Sequence, residues 1–167
     1  MKKIAYLAMD VHARSCTLGH MDEDGTFIGN RYFATSEKNI IDALKSVRAK
    51  NKILTIEEGT LTHWAAQVAR PHVIEVIACD PRENALIFKS PNKKDEVDTH
   101  RLCRLLRLGE LKHVYHTFND DRAIFKASAQ HYLDLRGQLT RLKHKIKAAY
   151  RRWGIIDVFS NSIYSTS

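Results

Sequence analysis

Residues 3–34, KIAYLAMDVHARSCTLGHMDEDGTFIGNRYFA, decide the fold. Residues 3–10 (KIAYLAMD) are a short, nearly continuous apolar run, the pattern of a strand buried on both faces. Residues 14–21 read as a second strand, Asp22-Glu23-Asp24-Gly25 as a turn, and residues 26–34 as the third strand of an antiparallel meander. Ser36 then stands where a helix cap is wanted, ahead of a stripe formed by Ile40, Ile41, Leu44 and Val47. Beyond it strands and helices alternate. Residues 52–57 (KILTIE) are a strand, 61–69 a helix that stops before Pro71, and 72–79 (HVIEVIAC) a fifth strand. Pro81 opens a short helix through Phe88, Ser90-Pro91-Asn92 breaks it, and a helix over 94–108 presents Val97, Leu102, Leu105 and Leu106.

Three meander strands followed by alternating helices and strands make an α/β fold on a mixed five-stranded sheet with flanking helices. That order is RNase H-like. The chain has 167 residues, 44% of them hydrophobic and 28% charged, enough apolar material for one packed core and an ordinary charge content. No apolar run approaches the ~18–20 residues of a membrane span, and Asp10 interrupts the N-terminal run before any cleavage signal. The cysteines, Cys16, Cys79 and Cys103, are odd in number and widely spaced, which suggests neither a disulfide framework nor a zinc knuckle. A soluble, reducing-compartment protein with no membrane partner is expected.

The formal charge of +8 is uneven. Residues 1–119 hold 18 Lys+Arg against 15 Asp+Glu, whereas residues 120–153 hold 9 against 3, and 136–152 carry seven basic residues and no acid. Such a concentration is either a solvated helix face or an electrostatic footprint for nucleic acid. In the same segment Tyr132, Leu135, Leu139, Leu142, Ile146, Ala149 and Trp153 are spaced 3, 4, 3, 4, 3, 4. This reads as the seam of a coiled coil, the alternative being a single amphipathic helix packed on the domain, whose stripe is wider and less regular. Gly154 ends the helix, and a serine-rich tail follows.

Five acids stand out by position. Asp10 closes the first strand, Glu57 and Glu58 close the fourth, and Asp95 and Asp98 are three apart on one helix face. In an RNase H-like sheet the first and fourth strands are adjacent, so their terminal carboxylates can meet, and a helix over that edge can bring two more. Four converging carboxylates repel unless divalent cations neutralise them, and hard oxygen ligands suit Mg²⁺ or Mn²⁺. Glu57 and Glu58 point to opposite sides. Glu57, directly after Ile56, is the choice and Glu58 the alternative. Without a metal, a strand-end acid is simply solvated, and Asp95 and Asp98 are first-turn acids favouring the helix dipole. Arg101, Arg104 and Arg107 follow at three-residue intervals, either along a phosphate backbone or along a solvent face. His12, beside Asp10, is read as structural or as a phosphate contact, and His113 and His116 as solvated or facing nucleic acid.

Met9-Asp10-Val11-His12, Ile56-Glu57-Glu58-Gly59 with Trp64, and Lys94-Asp95-Glu96-Val97-Asp98 resemble the three acidic motifs of the DEDD-type transposases of insertion-sequence family 110, which include the pilin-gene invertases. Leu142-Lys143-His144-Lys145-Ile146 and Trp153-Gly154-Ile155 look like the family's coiled-coil segment. The resemblance implies a RuvC-like catalytic domain over residues 1–117, a basic coiled-coil helix over 118–154, and a tail over 155–167. It implies that Asp10, Glu57, Asp95 and Asp98 form the catalytic, Mg²⁺- or Mn²⁺-binding tetrad. The reaction would be DNA strand cleavage and exchange at insertion-element ends, guided by a structured RNA. DNA and guide RNA would meet Arg101, Arg104, Arg141, Lys143, Lys145, Lys147 and Arg151, and the chain would associate as a dimer or tetramer through the coiled coil.

Two departures matter. Thr99 stands where the family has Ala after its last Asp, which leaves the carboxylates in place. The family also takes a nucleophilic serine from a separate following domain, and Ser160, Ser162, Ser165 and Ser167 match no part of that motif, so a truncated chain is expected. The alternatives are a stand-alone Holliday-junction resolvase or RNase H-like nuclease, and an inactive nucleic-acid-binding dimerisation fragment.

Overall fold

The central strand β1 (Lys2–Val11) pairs antiparallel with β2 (Ser15–Asp22) on one side and parallel with β4 (Ala49–Glu57) on the other. β3 (Phe27–Ala34) extends the sheet antiparallel beyond β2, and β5 (Glu75–Cys79) extends it parallel beyond β4, giving the order β3-β2-β1-β4-β5. This computed structural model describes residues 2–87 and 95–156, with the side chains of 3–84 and 99–156. The architecture is the mixed five-stranded α/β sheet expected from the sequence.

Both faces of β1 are covered, which explains its unbroken apolar run. Ala5, Leu7 and Met9 face α1 (Glu37–Ser46) and α2 (Thr62–Ala69), packing with Leu54 and Ile56 of β4 and with Ile40, Leu44 and Ala65. Ala8 faces the other way, against Met21, Cys79, and Leu102 and Cys103 of α4 (Asp95–Leu108). α1 starts where its sequence says it should: Ser36 Oγ accepts the Asn39 N–H at 3.2 Å. α3 (Pro81–Ile87) is capped by Asp80, whose Oδ1 accepts the N–H groups of Arg82 and Glu83. Phe88 and Lys94, expected as helix ends, and Val97 as an apolar-face side chain, lie outside the described set.

Two strand boundaries differ from the sequence reading. β4 begins at Ala49 rather than residue 52 because the polar Ala49–Asn51 backbone pairs with Lys2 to Ile4, a ladder contribution that side-chain polarity hides. β5 begins at Glu75 rather than 72. Arg70, Pro71 and His72 instead form a 3-10 turn that carries the α2 chain back to the sheet.

α4 lies across β1 and β2, and three contacts set its direction. Near its C-terminus Arg107 Nε donates to Glu23 O at 3.0 Å, level with the start of β1 because Asp22 pairs with Ala5. Nearer its N-terminus Thr99 sits on Gly19, which pairs with Ala8, and Thr99 Oγ1 donates to Asn30 Oδ1 of β3 at 2.8 Å. The helix therefore runs antiparallel to β1, and its first turn heads for the C-terminal ends of β1 and β4. A second unit starts at Asn119. It contains α5 (Asp120–Arg152), capped by Asn119 Oδ1 accepting the Arg122 N–H at 2.9 Å and ended by Trp153 and Gly154, the latter at φ +75.

The close approach at Gly19 gives a direct test. A Cβ there would stand 2.8 Å from Thr99 Cβ, so Gly19→Ala must push α4 off the sheet. Overpacking of this kind costs about 1–3 kcal/mol, to be read as a lowered denaturant midpoint.

Candidate active site

Met9 of β1 pairs with Ile56 of β4, so Asp10 and Glu57 are the next residues along two adjacent parallel strands, ~5 Å apart by strand spacing. Side chains alternate along a strand. Met9 and Ile56 belong to the α1/α2 face, so Asp10 and Glu57 project to the other face, the one α4 covers. One register step therefore brings two carboxylates to one edge of one face.

Each is held locally. Asp10 pairs with Thr17 in the hairpin ladder, and its side chain, 21% exposed, lies 3.0 Å from His12 Nε2 through Oδ2. His12 is itself fixed by the hairpin: its N–H donates to Ser15 O at 3.0 Å, and its carbonyl accepts the Thr35 hydroxyl at 2.6 Å. His12, structural or phosphate-facing by sequence, sets its ring nitrogen against the Asp10 carboxylate, a contact the i, i+2 spacing at a strand end allows. Glu57, half-buried, is pinned through its backbone. Thr62 Oγ1 donates to Glu57 O at 2.8 Å and accepts the Gly59 N–H at 2.7 Å, closing the turn into α2. Glu58 has left the strand and is exposed, its N–H donating to Cys79 O at 2.9 Å.

Asp95 and Asp98 belong to the first turn of α4, which heads toward this same edge; their side chains lie outside the described set. Among the described residues no group of three or more His, Cys, Asp or Glu is placed to hold a metal ion. The described part of the site is the Asp10–Glu57 pair with His12. A cleft of about 450 Å³ lined by Ile4, His20, Arg31 and Arg48 is separate, since it opens on the opposite end of β1 and touches neither carboxylate.

The basic candidates divide. Arg101 is half-buried and Arg104 exposed on α4, whereas Arg107 is committed to Glu23 and packs under Gly25. At 3.6 residues per turn, Arg141 and Lys145 of α5 fall on one flank of its apolar seam and Lys143, Lys147 and Arg151 on the other. His116, expected to be solvated or to face nucleic acid, is half-buried instead, its ring 5.7 Å from that of His63 and edge-on to Phe118 at 5.1 Å. No helix among the described residues is long and apolar enough to cross a membrane.

Cys79, level with Glu57 on the neighbouring strand, is fully buried. Burial, then the carboxylates of Glu57 and Asp80, push its thiol up to about 12 against the lowering effect of a Thr55 hydrogen bond. The unfolded thiol ionises near its ordinary value of 9.0, so between about pH 9 and 12 only the unfolded chain loses this proton. Stability should therefore fall as pH rises through that window, by up to about 1.4 kcal/mol per pH unit from this thiol. Cys79→Ala should flatten the fall measured by denaturation from pH 9 upward.

A search of curated proteins finds no matching relative. The family model for the DEDD-type transposases of insertion-sequence family 110, described as "Transposase", matches residues 7–152, which include the strand ends carrying Asp10 and Glu57, the first turn of α4, and all of α5. The chain belongs to the DEDD-type transposase family of insertion-sequence family 110.

Proposed function

We propose that this chain is the metal-dependent catalytic domain for DNA strand cleavage and exchange at insertion-element ends, with Asp10, Glu57, Asp95 and Asp98 as the catalytic carboxylates and the nucleophilic serine supplied by a separate domain. The observation that carries the reading is the register of β1 against β4, which sets Asp10 and Glu57 side by side beneath the approaching first turn of α4. Two half-buried carboxylates on one sheet face repel each other, and a hard divalent cation relieves that repulsion. The donor set is all oxygen and fits Mg²⁺ or Mn²⁺. When bound, such an ion supplies Lewis-acid polarisation of the scissile phosphate.

The residues of the chain do the rest. Asp10 and Glu57 present their oxygens from a rigid sheet edge, and Asp95 and Asp98, three apart, add theirs from one helix face. His12 holds the second oxygen of Asp10 and limits its rotation. Arg101 and Arg104, one and two turns after the acids, are positioned to follow the DNA backbone away from the cleaved bond. The RNase H-like unit extends to about residue 117. The basic helix over 118–154 contacts DNA or a guide RNA through Arg141, Lys143, Lys145, Lys147 and Arg151, and joins two or more copies through its apolar seam. The setting is the bacterial nucleoid.

Mg²⁺ or Mn²⁺ should raise the thermal midpoint of the wild-type chain, and Asp10→Asn and Glu57→Gln should each remove most of that rise. With the serine-bearing domain supplied, the same two variants should abolish Mn²⁺-dependent cleavage of DNA carrying an insertion-element end. Equal metal responses in all three proteins would contradict the site.

A further inference from the structure

We infer that α5 pairs with a second copy of itself in antiparallel orientation, in a register centred on Gly137. The inference rests on the proposed self-association of the helix and adds its direction and alignment. α5 is 33 residues long, ~50 Å at 1.5 Å per residue, and has no buried residue. Phe125, Tyr132, Leu135, Leu139 and Leu142 are between 49% and 76% exposed, so the seam is bare along most of the helix. A helix gains most of its stability from packing such a face.

Charge selects the direction. Residues 120–135 carry three acids and two basic residues, a net −1, whereas residues 136–152 carry seven basic residues and no acid, a net +7. Parallel pairing lays the +7 half against itself at a separation close to the Debye length of ~8 Å in physiological salt, where repulsion is only partly screened. Antiparallel pairing lays it along the acidic half, and brings Asp120 and Asp121 of one copy to the Arg151 and Arg152 end of the other.

Side-chain size selects the same direction independently. The seam continues N-terminally through Ser128 and Phe125 with the same 3, 4 spacing. In a parallel pair each layer meets itself, so Ser128 on Ser128 and Ala149 on Ala149 leave thin layers while Phe125 on Phe125 makes a thick one. In the antiparallel register centred on Gly137, Leu135 meets Leu139, Tyr132 meets Leu142, Ser128 meets Ile146, and Phe125 meets Ala149. Small residues then face large ones, and the layers even out toward uniform packing density. Gly137 itself lies on the outer side of the pair, with nothing within 4 Å of a Cβ built there. The two basic halves come to lie at opposite ends of the pair, their centres ~20 Å apart along the axis, giving two nucleic-acid patches instead of one.

Disulfide trapping on the full chain tests this. Phe125→Cys and Ala149→Cys chains, distinguished by mass, are oxidised separately and as an equal mixture, with wild type as the control for the three buried native cysteines. The inference predicts a mixed cross-linked dimer at least tenfold over either self-linked species. Sedimentation of the wild type should show a dimer that does not tighten between 0.1 and 1 M salt, as approximate working concentrations. Self-linked dimers of each variant, or a dimer that tightens several-fold with salt, would overturn the antiparallel register while leaving self-association standing. A wild-type chain that sediments as a monomer throughout would overturn both.

Discussion

The parallel pairing of β1 with β4 is the constraint on which the rest depends. Parallel strands require a crossover, and α1 supplies it, burying Ile40, Ala43 and Leu44 against the face formed by Ala5, Leu7 and Met9. The register of that pairing, Met9 against Ile56, then dictates that the acids one residue further on lie side by side. A slip of one residue on either strand would send one carboxylate to the α1/α2 face and into the core. Complete burial of Leu7, Met9, Leu54 and Ile56 makes such a slip expensive, at about 1.5–3 kcal/mol for each large side chain displaced from the core. Hydrophobic packing thus fixes the spacing of charged groups that it never touches.

α4 depends on the same sheet from the other side. Its docking needs an absent side chain at Gly19, a hydroxyl on Thr99 satisfied by Asn30, and Arg107 anchored to the β2–β3 turn. These three contacts aim the helix N-terminus at the carboxylate edge. Thr99, which departs from the Ala expected there, adds a partly buried hydrogen bond between α4 and β3 and leaves the acidic positions of the helix unchanged.

Much of this was legible in the residues. The apolar runs ending in Asp10 and Glu57 announced two buried strands with acids at their tips, and Ser36 and Gly154 marked helix ends by the chemistry of capping. What stayed hidden depended on partners distant in sequence. The polar start of β4 is a strand only because β1 offers it a ladder. Cys103 belongs to the core only because α4 lands on Ala8 and Cys79. Arg107 looks like a third member of a basic series with Arg101 and Arg104, yet the drift of three-residue spacing around a helix turns it toward Glu23. The 3, 4 spacing of α5 is plain in the sequence, while the proposed direction of pairing needs charge and size to be compared along the whole exposed seam.

The central claim is that acids from three elements share one divalent ion site, and paramagnetic broadening by Mn²⁺ tests it most directly. In a ¹⁵N-labelled chain, substoichiometric Mn²⁺ should first erase the amide signals around Asp10, around Glu57 and across the first turn of α4, and excess Mg²⁺ should restore them. Broadening centred instead on the acidic turn at Asp22, Glu23 and Asp24, with the ends of β1 and β4 untouched, would contradict the account.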